Sequence, residues 1–145
     1  WDAMARAAER TAPMMSPHGV ANTLNAFSKV EAAAGAMSPT EWAAMVRAAE
    51  RAAPMMHEQD ITNTLNALGK LQAAAGAMSA TGWAAMARAA ECTAPMTHEQ
   101  ENVNTLAAIA NLPTKCVVGD MEALNIKSIQ ALEAISKREK ILLQK

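Results

Sequence analysis

The sequence predicts an all-α fold, an αα-hairpin solenoid with a period of 41 residues and a divergent helical cap at its C-terminal end. Three observations predict it. Trp1, Trp42 and Trp83 each open the same phrase, 41 residues apart, and a second phrase follows at constant offset: Asn22-Thr23-Leu24, Asn63-Thr64-Leu65 and Asn104-Thr105-Leu106. A fixed period of this size marks stacked units, because one unit cannot bury its apolar face without neighbours. The composition is 51% hydrophobic but only 3% aromatic, with 11 Met, no Tyr and one Phe. Ala is the best helix former and Met fills irregular gaps, whereas strands lack their β-branched and aromatic support. Cap and proline signals recur in register with both phrases.

Each unit reads as two helices, A and B. In the first, helix A opens at Trp1 and stops before Pro13; Ser16-Pro17 then starts helix B as N-cap and first-turn proline. Val20, Leu24, Phe27 and Val30, spaced four, three and three, fall on one helical face. The second unit is the clearest. Ser38-Pro39-Thr40-Glu41 predicts a capping box, with helix A from Pro39 to about Ala53 and Pro54 ending it by pushing its predecessor out of the α region. Ile61, Leu65, Leu68 and Leu71 repeat the apolar face of helix B, and Gly35 and Gly76 are expected to close the B helices as left-handed C-caps. In the third unit Trp83 opens helix A, Pro95 ends it, and Thr97 to Gln100 supplies a second capping box.

The units are thus 1–41, 42–82 and 83–112, followed by a divergent 113–145. Asp120 falls one period after Ser79 and Leu124 one period after Trp83, but Ile126, Ile129, Leu132 and Ile135 then stand among charges. One or two helices from Asp120 to about Leu142 are expected to close the stack, since a last unit must turn a polar face to water.

Net charge is −1, and no apolar run approaches the roughly 18 residues of a membrane-spanning helix. No signal peptide is expected within these residues, and a targeting segment upstream stays open. The chain opens inside a repeat, which predicts a piece of a longer array with an uncovered apolar face before Trp1, a feature that invites self-association. Cys92 and Cys116 match no metal or redox spacing and read as free thiols of a reducing compartment.

Each candidate column has a bland reading beside the functional one. The tryptophans can stack on a ligand, but plugging the junction between units is the expected role. Asn22, Asn63 and Asn104 sit early in helix B, with Asn25 and Asn66 one turn later on the same side. Asn is a mediocre mid-helix residue, so its recurrence needs a reason. It is either a ladder of amides presented to a partner or a set of bonds to loop backbone between hairpins. Lys29 and Lys70 stand at the rim.

Arg6/Glu9, Arg47/Glu50 and Arg88/Glu91 are three apart and are expected to pair along a solvated face. Arg10 and Arg51 form a basic column that lapses at Cys92, and the Lys29/Lys70 column lapses at Asn111. A phosphate-tracking groove needs unbroken basic rows and a positive excess, so nucleic acid is not the expected ligand. His57 and His98 read as helix-start residues and cannot share a metal across a repeat. Cys92 near His98 is the one nominal nucleophile pair, without context that would activate it. No catalytic residue, cofactor site or metal site is expected in this segment.

The stretches Ala21 to Gly35 and Ile61 to Gly76, each followed by Ala-Met-Ser and a Trp-led helix, resemble SKWP repeats. Those are tandem repeats of type III secreted effectors in plant-pathogenic bacteria such as Xanthomonas and Ralstonia. The resemblance covers Trp1 to about Leu112; Ser28-Lys29-Val30-Glu31 and Gly69-Lys70-Leu71-Gln72 keep the Lys of the name-giving tetrapeptide and lack its Trp and Pro. It implies a HEAT/armadillo-like array of poorly defined activity, delivered by a type III system into the host-cell cytoplasm, and the recurrent polar residues of helix B lead to the expectation that it binds a host protein. Asn22, Asn25, Asn63, Asn66, Asn104, Lys29 and Lys70 are the residues expected to meet it. The same phrases are similar to octotricopeptide repeats, which share an Asn-Thr-Leu motif and, in Ser38-Pro39-Thr40-Glu41-Trp42, part of a proline-rich Glu-Trp motif. The alternative that this implies is a single-stranded RNA-binding module.

Overall fold

The computed structural model describes residues 1–93, with the backbone alone at Glu91. The expected third helix B with its cap at Thr97 and its Asn104, His98, Cys116 and the closing helices from Asp120 all lie outside the described residues. Among those described, every element is helical and none is a strand. They are α1 (Asp2–Thr11), α2 (Pro17–Lys29), α3 (Glu31–Gly35), α4 (Pro39–Ala52), α5 (Glu58–Lys70), α6 (Gln72–Ala77) and α7 (Ala80–Thr93). Single 3₁₀ turns, Ala12–Met14 and Ala53–Met55, follow α1 and α4.

Local chemistry sets the starts. Ser16 Oγ accepts the Gly19 N–H at 3.1 Å and caps α2. At α4 the capping box forms as the sequence requires: Glu41 N–H donates to Ser38 Oγ at 3.3 Å, and Ser38 N–H donates to Glu41 Oε2 at 2.6 Å.

The ends differ from expectation in two ways. Pro54 does not force Ala53 out of the α region; Ala53 has φ −47° and ψ −45°. Pro54 lacks the N–H that the helical ladder needs, so α4 tightens into one 3₁₀ turn, and Met56 (φ −74°, ψ 139°) is the first extended residue.

Gly35 and Gly76 are not left-handed caps, since no described glycine has a positive φ. The B helices have already ended at Lys29 and Lys70. Val30 (φ −126°, ψ 100°) and Leu71 (φ −95°, ψ 77°) leave the helix, and short α3 and α6 restart from them. The Val30 carbonyl accepts Ala33 and Ala34 N–H, both at 3.0 Å, opening α3. The bend at Leu71 lays α6 against α4, with Ala74 and Ala75 fully buried.

The long helices pack in sequence. α1 lies on α4 and α4 on α7, while α2 packs along α5 in the most extensive contact among the described residues. Buried Ala5 and Ala8 on α1 and Ala48, Ala49 and Ala52 on α4 hold the A layer with small side chains, so helix axes can approach closely. The larger residues, Val20, Leu24, Ile61, Leu65 and Leu68, fill the B layer. Each such aliphatic side chain contributes about 1.5–3 kcal/mol on burial.

Candidate functional site: the seam along the B helices

Asn22 and Asn25 lie on α2, and Asn63 and Asn66 on α5, the two helices that pack along each other. Asn22 is exposed, and Asn25, Asn63 and Asn66 are half-buried. Lys29 and Lys70 are exposed on the last residues of α2 and α5, at the rim. The asparagine bonds that are present run to side chains one helical turn back. The Asn22 amide donates to His18 Nε2 at 2.8 Å, and Gln59 Nε2 donates to Asn63 Oδ1 at 3.3 Å. Asn22 and Asn63 therefore bond within the N-terminal turns of α2 and α5, rather than to the loop backbone that the structural alternative named.

His18 carries the chain of bonds across the seam. With Nε2 accepting from Asn22, the network assigns the proton to Nδ1, which donates to Asp60 Oδ1 at 2.9 Å. The other Asp60 oxygen accepts the His57 N–H at 3.3 Å and so starts α5. Asp60 is buried while the His18 side chain is largely exposed, so one carboxylate both caps its helix and ties it to its neighbour. Sequence reading missed this pair because His18 and Asp60 occupy different places in their repeats. His57 keeps its predicted place at the helix start.

A second tie runs between the A helices. Arg51 Nη2 donates to the Ala12 carbonyl at 2.9 Å, placing a cation at the C-terminal end of α1. Arg51 stays exposed, as a solvated column requires, and gains this bond besides. Arg6–Glu9 and Arg47–Glu50 do not form the expected ion pairs, because the single described salt bridge is His18–Asp60. Glu50 instead turns to the start of α7: Ser79 N–H and Ser79 Oγ both donate to its Oε1 at 2.8 Å. Arg6 acts on Glu41, whose carboxyl is held below its ordinary range chiefly by the Ser38 hydroxyl and backbone N–H, with the Arg6 charge adding a smaller part.

Trp42 and Trp83 are buried, at 3% and 2% exposure, and Trp42 plugs the junction with the first unit, meeting Phe27 edge-on with centroids 5.9 Å apart. Trp1 departs from its column at 53% exposure. The Thr of the two described Asn-Thr-Leu phrases has a role that the sequence did not suggest. Thr23 and Thr64 hydroxyls point at the sulfurs of Met15 and Met56, at 4.0 and 3.8 Å. Sulfur is a weak acceptor, yet at Thr64, which is fully buried, it keeps the hydroxyl from being stranded.

Cys92 is an exposed free thiol, and its nominal partner His98 lies outside the described residues. No described group of three His, Cys, Asp or Glu side chains is placed to hold a metal, and no described helix is long and apolar enough to cross a membrane. What the seam offers a ligand is a set of exposed and half-buried amides with lysines beside them, which are hydrogen-bond donors and acceptors. No family model, curated protein or solved structure matches the chain.

Proposed function

We propose that this chain is part of an α-solenoid scaffold of the SKWP-repeat effector kind, with a 41-residue period and a capping C-terminal segment, acting inside a host cell after type III secretion. It binds a host protein through the surface of successive B helices and carries no catalytic role in this segment. The observation that supports the reading is the accessibility of Asn22, Asn25, Asn63 and Asn66 on helices whose opposite faces are buried. Packing alone would accept Ala at these places, and a recurrent polar residue at the edge of a stack can serve recognition. The balanced charge favours a protein over a nucleic acid.

The test is a pull-down from plant-cell lysate with the parent chain beside Asn63→Ala/Asn66→Ala and a nuclease-treated control. The proposal expects a protein retained by the parent and lost by a variant that still unfolds cooperatively. Equal retention by both baits removes the asparagines from recognition. A stability loss above about 2 kcal/mol in the variant makes them structural instead.

A further inference from the structure

The largest exposed apolar side chains include Trp1 and Met4, at 53% and 56%. They border a groove of about 390 Å³ between α1 and α2, floored by Phe27 and Val30 and edged by Asn22 and Thr23. One period on, the same columns are closed. Trp42, Met45, Thr64 and Leu71, the counterparts of Trp1, Met4, Thr23 and Val30, are all under 9% exposed. Asn22 is exposed where Asn63 is half-buried. The groove therefore has the surface that the second repeat buries beneath the first, unchanged at Trp, Met, Asn and Thr.

We infer that this face is a docking site for a helical hairpin bearing the outgoing face of this repeat, seated as residues 1–41 sit on 42–82. The inference rests on the stacked-repeat reading above. The contacts at the existing seam state the partner's chemistry. Phe27 meets Trp42 edge-on, so the incoming hairpin presents an aromatic or large aliphatic side chain to the edge of Trp1. Arg51 donates to the Ala12 carbonyl, so its counterpart Arg10, exposed on α1, receives the open carbonyl at the end of the incoming A helix. Gly19 stands where Asp60 does, so the His18–Asp60 tie has no counterpart and the docked hairpin is held by the apolar plug and by Arg10.

The test extends the chain with a copy of residues 1–41 fused directly before Trp1. The copy carries Trp1→Phe, so that the original indole remains the one to watch. The expected result is a blue-shifted emission and a loss of acrylamide quenching for Trp1. Arg10→Ala, made in the original unit, should lower the unfolding midpoint of the extended chain and leave that of the parent unchanged. Trp1 remaining as quenchable as before beside a helical copy, or Arg10→Ala acting alike in both chains, overturns the inference while sparing the stacked-repeat reading. A copy that stays unfolded overturns both. A parent chain that buries Trp1 by itself as concentration rises gives the face to a second copy and overturns the hairpin.

Discussion

At the start of α4 Glu41 closes its own capping box, whereas at the start of α7 the same place is held by Gly82 and the carboxylate comes from Glu50, 29 residues before Ser79. The swap is steric as well as chemical, because a Cβ at Gly82 would collide with the Glu50 carboxyl group. The Ser-x-x-Glu spacing made the first cap legible in the sequence. The second was hidden, because nothing local links Glu50 to Ser79. Glu50→Ala should cost about 0.5–2 kcal/mol, the range for losing a helix cap. Gly82→Glu should destabilise the parent by collision yet recover part of that loss in the Glu50→Ala background, where it can close a box of its own. A double-mutant cycle by urea unfolding reads the coupling, and strictly additive effects would sink the account. Glu41 adds a pH dependence. Its folded pKa lies below the ordinary 4.5, so its contribution is complete above 4.5 and is lost as pH falls through the lower, folded value. Thermal midpoints measured down that acid limb should fall less steeply for Glu41→Gln than for the parent.

Helix positions were readable because caps and apolar spacing are local properties, and α2 and α5 recur one period apart as the phrases do. The break that ends them was not. Val30 and Leu71 continue the apolar spacing of the B helices, and nothing in that spacing tells a helix that runs on from one that bends to press an Ala-rich turn onto α4. The glycines misled for the same reason: Gly after an Ala run is the usual sign of a left-handed cap, but here the chain had already turned. Gly35 is the last residue of α3 in a right-handed helix, and a Cβ there would meet nothing within 4 Å. Gly35→Ala should therefore raise stability by about 0.5–1 kcal/mol, through reduced freedom of the unfolded chain. A left-handed Gly35 would make the same substitution destabilising, so the sign of the shift in the urea midpoint decides the matter.

Beside the packing of α2 along α5, three specific contacts join the first repeat to the second: the Phe27–Trp42 plug, the His18–Asp60 bond and the Arg51–Ala12 bond. Magnitudes rank them. His18 is 70% exposed at its side chain, so its pairing is screened and is worth about 1 kcal/mol or less, and Asp60 keeps its bond from His57 N–H when His18 is gone. Phe27 is 5% exposed in the core, and its truncation removes transfer energy and leaves a cavity beside Trp42, a loss of about 3–5 kcal/mol. In the proposed solenoid, where units touch only their neighbours, such a loss weakens one interface and spares the next. Phe27→Ala should then let α1 and α2 open as a unit while α4 and α5 stay closed. Native-state hydrogen exchange is the direct reading: amides of α1 and α2 should exchange faster by a common factor, those of α4 and α5 much less, and His18→Ala should barely disturb either set. If Phe27→Ala instead lowers protection equally through α1, α2, α4 and α5, the described helices unfold as one cooperative block. The seam would then be no weaker than the interior of a repeat.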